Sequence, residues 1–265
     1  MGERVDLDWL KRPIAHRGLH EAASGIIENS AAAVEAAIAK GFGVELDLQC
    51  TADRRAVVFH DLTLGRLTPQ SGPVRAHTAE ALSAIPLRSS NDHILTLPQL
   101  LDLIAGRIPL ILEVKSTWTE DRRYEAHIAE TLSSYRGPVA VMSFDPNSVA
   151  TFRALAPSLP RGLVAGGFEH RRFWAHRSKL QRFGMRHLLT ASFARPHFIA
   201  YDVNELRSFA PFVARNLFGL PLLTWTVRSE ADRDRAASYA DAMIFEGFCP
   251  SHGKRKKPCR RARPH

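Results

Sequence analysis

The sequence predicts an α/β protein folded as a single (β/α)8 TIM barrel, and three observations support this fold class. Short apolar runs alternate with longer amphipathic runs from residue 12 to about residue 250, a pattern typical of a parallel sheet wrapped by helices. About eight strand-like runs in one uninterrupted series favour a closed barrel, and the 265 residues are close to the roughly 250 that such a barrel needs. No G-x-G-x-x-G or Walker-type loop follows the first run, which argues against a nucleotide-binding open sheet.

The predicted strands are short apolar runs, several of which end in polar residues. They span residues 12–16, 43–49, 56–61, 109–115, 138–144, 161–166, 197–202, 221–227 and 241–248. Between them lie segments with the composition and end signals of helices. These span residues 31–40, 96–106, 124–135, 145–157, 171–187, 205–219 and 230–240.

End signals place several of these boundaries. Asn29 and Ser30 form an N-cap signal before the Ala-rich helix, which Gly41 closes. Asp145 is a candidate cap, with Pro146 in the first turn of its helix. Residues 62–93 hold Pro, Ser and Gly with little periodicity, so they are expected to form a loop or a short insertion after the second strand region.

Composition restricts the class of protein. No apolar run reaches the roughly 18 residues of a membrane span, and the N-terminal segment lacks the apolar core of a secretory signal. The three cysteines, Cys50, Cys249 and Cys259, have no metal-ligand spacing. Unpaired thiols favour a reducing compartment, so a cytoplasmic location is predicted.

The positive charge is concentrated at the C-terminus. Residues 254–265 hold seven Lys and Arg and no acid, which leaves only +2 of the net +9 for residues 1–253. We therefore predict a barrel domain over residues 1–250 and a disordered basic tail over residues 251–265. The candidate partner of this tail is anionic lipid, which it would contact weakly, and no specific nucleic acid is expected.

Two carboxylates of the second strand predict a metal site. Glu45 and Asp47 are two residues apart, so they share the strand face opposite Val44, Leu46 and Leu48. Adjacent carboxylates repel each other unless a cation lies between them. Oxygen ligands suit one divalent cation such as Mg²⁺ or Ca²⁺, and the alternative is a surface pair with Lys or Arg partners.

The run PLILEVK repeats this arrangement. Glu113 and Lys115 share one face of the strand at residues 109–115. In a barrel the carboxyl ends of the strands meet at one mouth, so Glu113 is a candidate third metal ligand. Lys115 is then a candidate for stabilising phosphate charge. The alternative is that Glu113 and Lys115 form an internal ion pair.

Two histidines supply candidate proton-transfer groups. His16 and His60 both end strand-like runs, and an imidazole with a pKa near 6.5 can take a proton from a nucleophile or give one to a leaving alcohol. Arg17 offers a two-pronged donor for phosphate oxygens, with a solvated surface arginine as the alternative. Asp61 is expected to support His60 as a cap or hydrogen-bond anchor. Trp225 is a candidate apolar wall for the substrate's alcohol, with a core position as the alternative.

Several motifs together resemble one enzyme family. They are HRG at 16–18, ENSAAAVEAAIAKG at 28–41, VELDLQ with a following T and D at 44–53, and VVFHD with TLGRLT at 57–68, extended by TLPQLLDLI, LEVK, SFDPNSV and LLTWTV. In this order they resemble the glycerophosphodiester phosphodiesterase family over roughly residues 12–250. The sequence departs from the family where an Asp in a TD-x-P pattern often ends the eighth strand, because this chain has FEGFCP with Glu246.

The resemblance implies a TIM-like barrel that binds one divalent cation, commonly Ca²⁺ or Mg²⁺. It implies hydrolysis of a glycerophosphodiester to an alcohol and glycerol 3-phosphate. Carried onto matching positions, His16 and His60 are the acid–base pair, and Arg17 and Lys115 engage the phosphate. The implied metal ligands are Glu45, Asp47 and Glu113. Two alternatives stay open: a lysophospholipase D that acts on lysolipids at a membrane surface, and an inactive barrel that serves as a binding module.

Overall fold

The computed structural model of the chain describes residues 5–167, 174 and 177–250. The strands are β1 (Ile14–His16), β2 (Gly43–Cys50), β3 (Ala56–Val58), β4 (Leu110–Val114), β5 (Val139–Ser143), β6 (Arg161–Ala165), β7 (Phe198–Asp202), β8 (Leu222–Val227) and β9 (Ala242–Phe245). The helices are α1 (Ala31–Lys40), α2 (Ala79–Ser83), α3 (Leu97–Ile104), α4 (Arg123–Ser133), α5 (Pro146–Leu155), α6 (Lys179–Arg186), α7 (Ala191–Ala194), α8 (Phe209–Asn216) and α9 (Glu230–Tyr239).

Eight of the strands close into a parallel barrel. Each strand from β4 to β9 pairs in parallel with the next, β4 pairs with β2, and β1 pairs in parallel with both β2 and β9. This confirms the predicted (β/α)8 barrel. The N-terminal segment contributes to the barrel interior, because Leu10 belongs to the same apolar cluster as Ile14, Ile111 and Ile244.

The predicted strand at residues 56–61 is not part of the barrel. It forms β3, which pairs antiparallel with β2 from Val58 opposite Leu48 to Ala56 opposite Cys50. Only residues 51–55 connect the two strands. A parallel crossover needs about a dozen residues or more, so a connection of this length permits only a hairpin.

The alternation of β2 divides its side chains between two layers. Val44, Leu46 and Leu48 are fully buried in the large cluster between the strands and the helices. Because side chains alternate along a strand, Glu45 and Asp47 point to the other side, into the barrel. Glu45 and Asp47 therefore share one face of β2, as predicted.

The insertion is more ordered than its composition predicts. It contains short 3-10 turns at Leu64–Arg66 and Val74–Ala76 and the helix α2. Its apolar residues form a separate cluster around Phe59, Leu64 and Leu82. They are spaced too irregularly for a periodic signal, yet they converge on one small core.

Two predicted helices are shorter than expected. For the helix at 171–187, α6 begins at Lys179, where Ser178 and Gln181 form a capping box, and residues 168–173, 175 and 176 lie outside the described residues. For the helix at 205–219, a 3-10 turn precedes α8, which begins at Phe209. Pro211 then falls in the first turn, where proline is tolerated, whereas a helix from residue 205 would hold it in its interior.

Two of the three cysteines lie among the described residues. Cys50 is buried, Cys249 is exposed, and both are free thiols. The tail at residues 251–265 lies outside the described residues, so its disorder stays a prediction, as does the cytoplasmic location. Within the part of the chain that the structure describes, no helix has both the length and the apolar character that a membrane crossing requires.

Candidate active site

Three carboxylates converge at the carboxyl ends of neighbouring strands. The register of β1, β2 and β4 places His16 opposite Glu45 and Asp47 opposite Glu113. One oxygen each of Glu45, Asp47 and Glu113 lies within 4.8 Å of the others. All three residues are buried, with exposures of 1%, 1% and 8%. The alternative of a surface acid pair is therefore wrong for Glu45 and Asp47.

Asp47 is the best-compensated of these acids. Its carboxylate lies 2.8 Å from Lys115 Nζ and 3.3 Å from Arg17 Nε, and it accepts a hydrogen bond of 2.9 Å from Asn29 Nδ2. Burial alone favours the protonated acid, but Lys115, His60 and Arg17 outweigh it and hold the pKa of Asp47 well below its ordinary value. Asp47 is therefore a carboxylate at neutral pH.

Glu45 carries the uncompensated charge of the cluster. Its Oε1 is buried without a hydrogen-bond partner among the described residues. Its Oε2 accepts a 3.3 Å hydrogen bond from the backbone N–H of Arg17. Burial, Asp47 and Glu113 raise the pKa of Glu45 well above its ordinary value. A buried oxygen with no partner beside two further carboxylates fits a bound cation, so the residues present suit the implied divalent metal.

Lys115 lies between two of the acids. Its Nζ is 2.5 Å from Glu113 and 2.8 Å from Asp47. Burial by itself lowers the pKa of Lys115, but Asp47 and Glu113 raise it above the ordinary value, so the ammonium stays charged. The internal ion pair named as an alternative is thus present. It leaves the third ammonium proton for another acceptor.

His16 is held by Glu246, the residue at which the sequence departs from the family pattern. Its Nδ1 lies 2.7 Å from Glu246 Oε2, and its Nε2 is 3.9 Å from Glu45 Oε2. The hydrogen bond to His16 lowers the pKa of Glu246 to about 2. A carboxylate can only accept, so Nδ1 of His16 donates and Nε2 is left to receive a proton.

His60 is oriented by the same kind of contact. Its Nδ1 lies 2.8 Å from Asp61 Oδ1, which is the hydrogen bond expected of Asp61. Arg66 binds both oxygens of Asp61, at 2.5 and 3.0 Å, and also pairs with Glu28. These contacts hold the pKa of Asp61 below its ordinary value despite partial burial. Asp61 therefore accepts, and Nε2 of His60 faces away from it.

Arg17 is not the solvated surface arginine considered as an alternative. Its side chain is 19% exposed, and its Nη1 donates to Glu28 Oε1 at 2.7 Å. The contact with Asp47 adds a second acid partner. Burial lowers the pKa of Arg17, but Asp47 and Glu28 outweigh this and raise it. The guanidinium lies at the carboxylate cluster, and its role toward phosphate stays a prediction.

The backbone after His16 and Arg17 favours glycine at position 18. It has a φ of +79°, and a Cβ at this position would lie 2.8 Å from Ala33 Cβ on α1. Arg17 itself has a φ of 56°. The two residues turn the chain sharply after β1, and this turn packs directly on the start of α1.

Gly18→Ala should destabilise the protein by about 1–3 kcal/mol, because a methyl group adds steric overlap to backbone strain. Gly41→Ala is the matched control, since Gly41 has a φ of +70° but no atom within 4 Å of its would-be Cβ. Urea unfolding of both variants measures the difference. Equal losses for the two variants would show that the contact with Ala33 contributes nothing.

An open cavity of about 560 Å³ adjoins His60. Polar groups of His60, Glu113 and Lys115 lie on its surface, and the remaining wall is largely apolar and aromatic. That wall includes Leu62, Trp118, Phe144 and Trp174. The cavity therefore offers space for an alcohol group next to an imidazole.

Trp225 does not line this cavity directly. Its ring packs edge-on against Phe144, with centroids 5.6 Å apart, and it lies against the cluster that fills the barrel interior. Trp225 therefore lies in the core, as one alternative has it, and packs against Phe144, which lines the cavity. Its contact with substrate stays a prediction.

Two site residues were not recognised as such in the sequence. The sequence predicts an N-cap at Asn29 and Ser30, but only Ser30 caps α1, by accepting from Ala33 N. Asn29 has a φ of 59° and binds Asp47 with both its side-chain atoms. Its place in ENS, next to a capping serine, concealed this role. Glu246 differs from the Asp of the family pattern, and its contact with His16, 230 residues away, leaves no local signal in the sequence.

Comparisons with known proteins agree on one family. The model of the glycerophosphoryl diester phosphodiesterase family matches residues 16–247. YhdW of Bacillus subtilis (strain 168) is 29% identical over 261 residues, which cover 89% of this chain and 92% of that protein. A glycerophosphodiester phosphodiesterase of the same organism is 26% identical over 268 residues, which cover 92% of this chain and 86% of that enzyme.

Solved structures show the same barrel. A phosphodiesterase from Oleispira antarctica, in complex with the product sn-glycerol-3-phosphate, superposes with a TM-score of 0.72 at 20% identity, covering 88% of this chain and 92% of that one. A glycerophosphodiester phosphodiesterase from Parabacteroides distasonis gives a TM-score of 0.70 at 22% identity with the same coverage. At these identities the likeness establishes the fold.

Proposed function

Since the chain belongs to the glycerophosphoryl diester phosphodiesterase family and is thus a phosphoric diester hydrolase, we propose that it cleaves glycerophosphodiesters to an alcohol and glycerol 3-phosphate by acid–base catalysis at His16 and His60. The observation that carries the proposal is the buried cluster of Glu45, Asp47 and Glu113 beside two imidazoles whose Nδ1 atoms are each held by a carboxylate. The complex of the Oleispira antarctica enzyme with sn-glycerol-3-phosphate supports the choice of product.

One divalent cation, Mg²⁺ or Ca²⁺, would be held by Glu45, Asp47 and Glu113, and when bound it would offset the charge of the phosphate. The donor set favours such an ion because all three side chains offer oxygen and one of those oxygens is unpartnered among the described residues.

His16 is suited to take a proton. Its Nδ1–H donates to Glu246, so its Nε2 lone pair faces the carboxylate cluster where the phosphate would lie. Burial lowers the pKa of His16, which keeps the imidazole neutral and able to accept. The proton comes from a nucleophilic hydroxyl. If that hydroxyl belongs to water, its attack gives glycerol 3-phosphate directly. If it belongs to the substrate's own glycerol, the displacement gives a cyclic phosphate, which a water molecule then opens to glycerol 3-phosphate.

His60 is suited to give a proton. It borders the cavity with the largely apolar wall, where the departing alcohol would lie. The Asp61 carboxylate, itself fixed by Arg66, accepts the Nδ1 proton and so fixes the orientation of the imidazole. A protonated Nε2 can then transfer its proton to the leaving oxygen, which would otherwise depart as a poor alkoxide leaving group.

Lys115 and Arg17 would stabilise the phosphate during the displacement. Lys115 directs two of its three ammonium protons to Asp47 and Glu113, so one is left for a non-bridging oxygen. Arg17 forms an ion pair with Asp47 through Nε and donates to Glu28 through Nη1, and its Nη2 makes no hydrogen bond to a described residue. These donors are already fixed by the acids, so little reorganisation would be needed.

The test is product analysis across a panel of glycerophosphodiesters, with glycerophosphocholine and glycerophosphoethanolamine as soluble substrates and a lysophosphatidyl lipid as the comparison. We expect glycerol 3-phosphate and free alcohol in equal amounts from the soluble substrates. Release of glycerol with a phosphorylated alcohol would contradict the proposed bond cleavage. Turnover confined to the lysolipid would favour the lysophospholipase D alternative, and binding without turnover would favour the binding module.

A further inference from the structure

A large exposed apolar patch lies outside the active site. Of the eleven large apolar residues exposed in the described part of the chain, eight lie between residues 180 and 218. Leu180, Phe209 and Phe218 are the most exposed of these, at 79%, 76% and 75%. We define the apolar patch as Leu180, Phe183, Leu189, Phe193, Phe209, Phe212, Leu217 and Phe218.

The centre of this patch is continuous in space. Phe183, Leu189, Phe209 and Phe218 line one groove of about 710 Å³ between α6 and α8. Leu180 lies one turn before Phe183 on α6, and Phe212 lies one turn after Phe209 on α8. Exposed apolar residues of a soluble domain are ordinarily scattered, so a concentrated set of aromatic and leucine side chains indicates an interaction surface.

The same segment is strongly basic. Residues 177–220 hold seven Lys and Arg but only two acids. One of those acids, Glu205, is paired with Arg186 at 2.7 Å. No ion pair joins Lys179, Arg182 or Arg195 to a carboxylate of the described residues. The patch therefore combines apolar side chains with uncompensated cations.

This charge selects among the possible occupants. A symmetric contact with a second copy would bring Lys179, Arg182 and Arg195 toward the same cations of the partner, which is unfavourable. The chain's own C-terminal tail is equally unsuitable because residues 254–265 hold seven basic residues and no acid. An occupant with an apolar interior and a negatively charged surface suits both features of the patch.

We propose that the apolar patch is a docking surface for an anionic lipid bilayer. The exposed Phe and Leu side chains enter the boundary between head groups and acyl chains, and Lys179, Arg182 and Arg195 contact the lipid phosphates. Helix α6 has the required character, since it carries Leu180 and Phe183 exposed together with Lys179 and Arg182. The surface is separate from the candidate catalytic residues, so docking does not depend on the proposed reaction.

The test is co-sedimentation of the full 265-residue chain with vesicles of phosphatidylcholine alone or mixed with phosphatidylglycerol. We expect binding to the mixed vesicles, weakened by salt. The double variant Phe209→Ser/Phe218→Ser should lose roughly tenfold or more in partition coefficient. Lys179→Gln/Arg182→Gln should lose a comparable factor, on the order of tenfold, on anionic vesicles only. Leu155→Ser, which alters an exposed leucine outside both the patch and the active-site cavity, should bind as the parent does.

Three results would overturn the proposal. Equal binding of the parent and the Phe double variant would assign adhesion to the basic tail, which is present in both. Equal binding to neutral and anionic vesicles would remove the role of the cations. A parent that binds no vesicles but is a dimer, with a monomeric double variant, would identify the occupant as a second copy. Circular dichroism and hydrolysis of soluble glycerophosphocholine show in each case that the variants are folded.

Discussion

Replacing His16 or His60 by alanine should lower kcat by about 10²-fold or more, because each variant removes one of the two proton transfers that the reaction requires. The fold should survive both changes. His60 is partly exposed, and His16 lies at the end of a barrel strand whose backbone pairing does not need the imidazole. The measurement is steady-state hydrolysis of glycerophosphocholine at saturating substrate, with thermal unfolding as the check on structure.

The matched control for these variants is His127→Ala. His127 is a partly buried histidine on α4, outside the candidate site, so its loss should leave kcat close to that of the parent. Substrates with a more acidic leaving alcohol separate the two roles. Such a substrate should restore much of the rate of the His60 variant, which lacks the proton donor, and little of the rate of the His16 variant. Near-normal turnover of glycerophosphocholine by either variant would refute the acid–base assignment.

Removing divalent cations should abolish most of the activity, with a loss of about 10²-fold or more, and adding Mg²⁺ or Ca²⁺ should restore it. The physical reason lies in the charge of the site. In the part of the chain that the structure describes, Lys115 and Arg17 are the only Lys and Arg side chains paired with the three buried carboxylates, and Glu45 Oε1 has no hydrogen-bond partner there. The assay is glycerol 3-phosphate release after dialysis against EDTA, followed by addition of each ion.

A stability measurement makes the same test independent of turnover. A cation that binds only the folded protein should raise its stability by about 2.7 kcal/mol at a concentration one hundred times Kd. The same binding should raise Tm. Glu45→Gln should reduce that increase in Tm, because it removes a negatively charged ligand while keeping the shape of the side chain. An EDTA-treated enzyme that stays fully active, with a Tm that no divalent ion changes, would exclude the carboxylates as a metal site.

The strands that carry the acids were the most predictable part of the molecule. A strand period of two and the apolar neighbours Val44 and Leu46 fix the inward direction of Glu45 and Asp47, whatever the rest of the chain does. Closure of the barrel then brings in Glu113, since β4 pairs with β2. Local pattern and fold class are sufficient for this part of the site.

The contacts that tune the site could not be predicted in the same way. Asn29 and Asp47 are 18 residues apart, and His16 and Glu246 are 230 apart, so neither pair leaves a local pattern. The antiparallel direction of β3 depends on the length of one connection rather than on its own residues. The core of the insertion depends on apolar residues that meet only after folding.

The hairpin and insertion that follow β2 separate the candidate proton donor His60 from the three acids of the barrel. The three acids project from barrel strands, whereas His60, Asp61 and Leu62 lie outside the barrel, on the excursion that follows β3. Arg66 ties this excursion back to Glu28 in the first loop. Exchanging the excursion between relatives would therefore transplant the proposed proton donor together with Leu62, and leave the three acids and the aromatic residues of the cavity wall as they were.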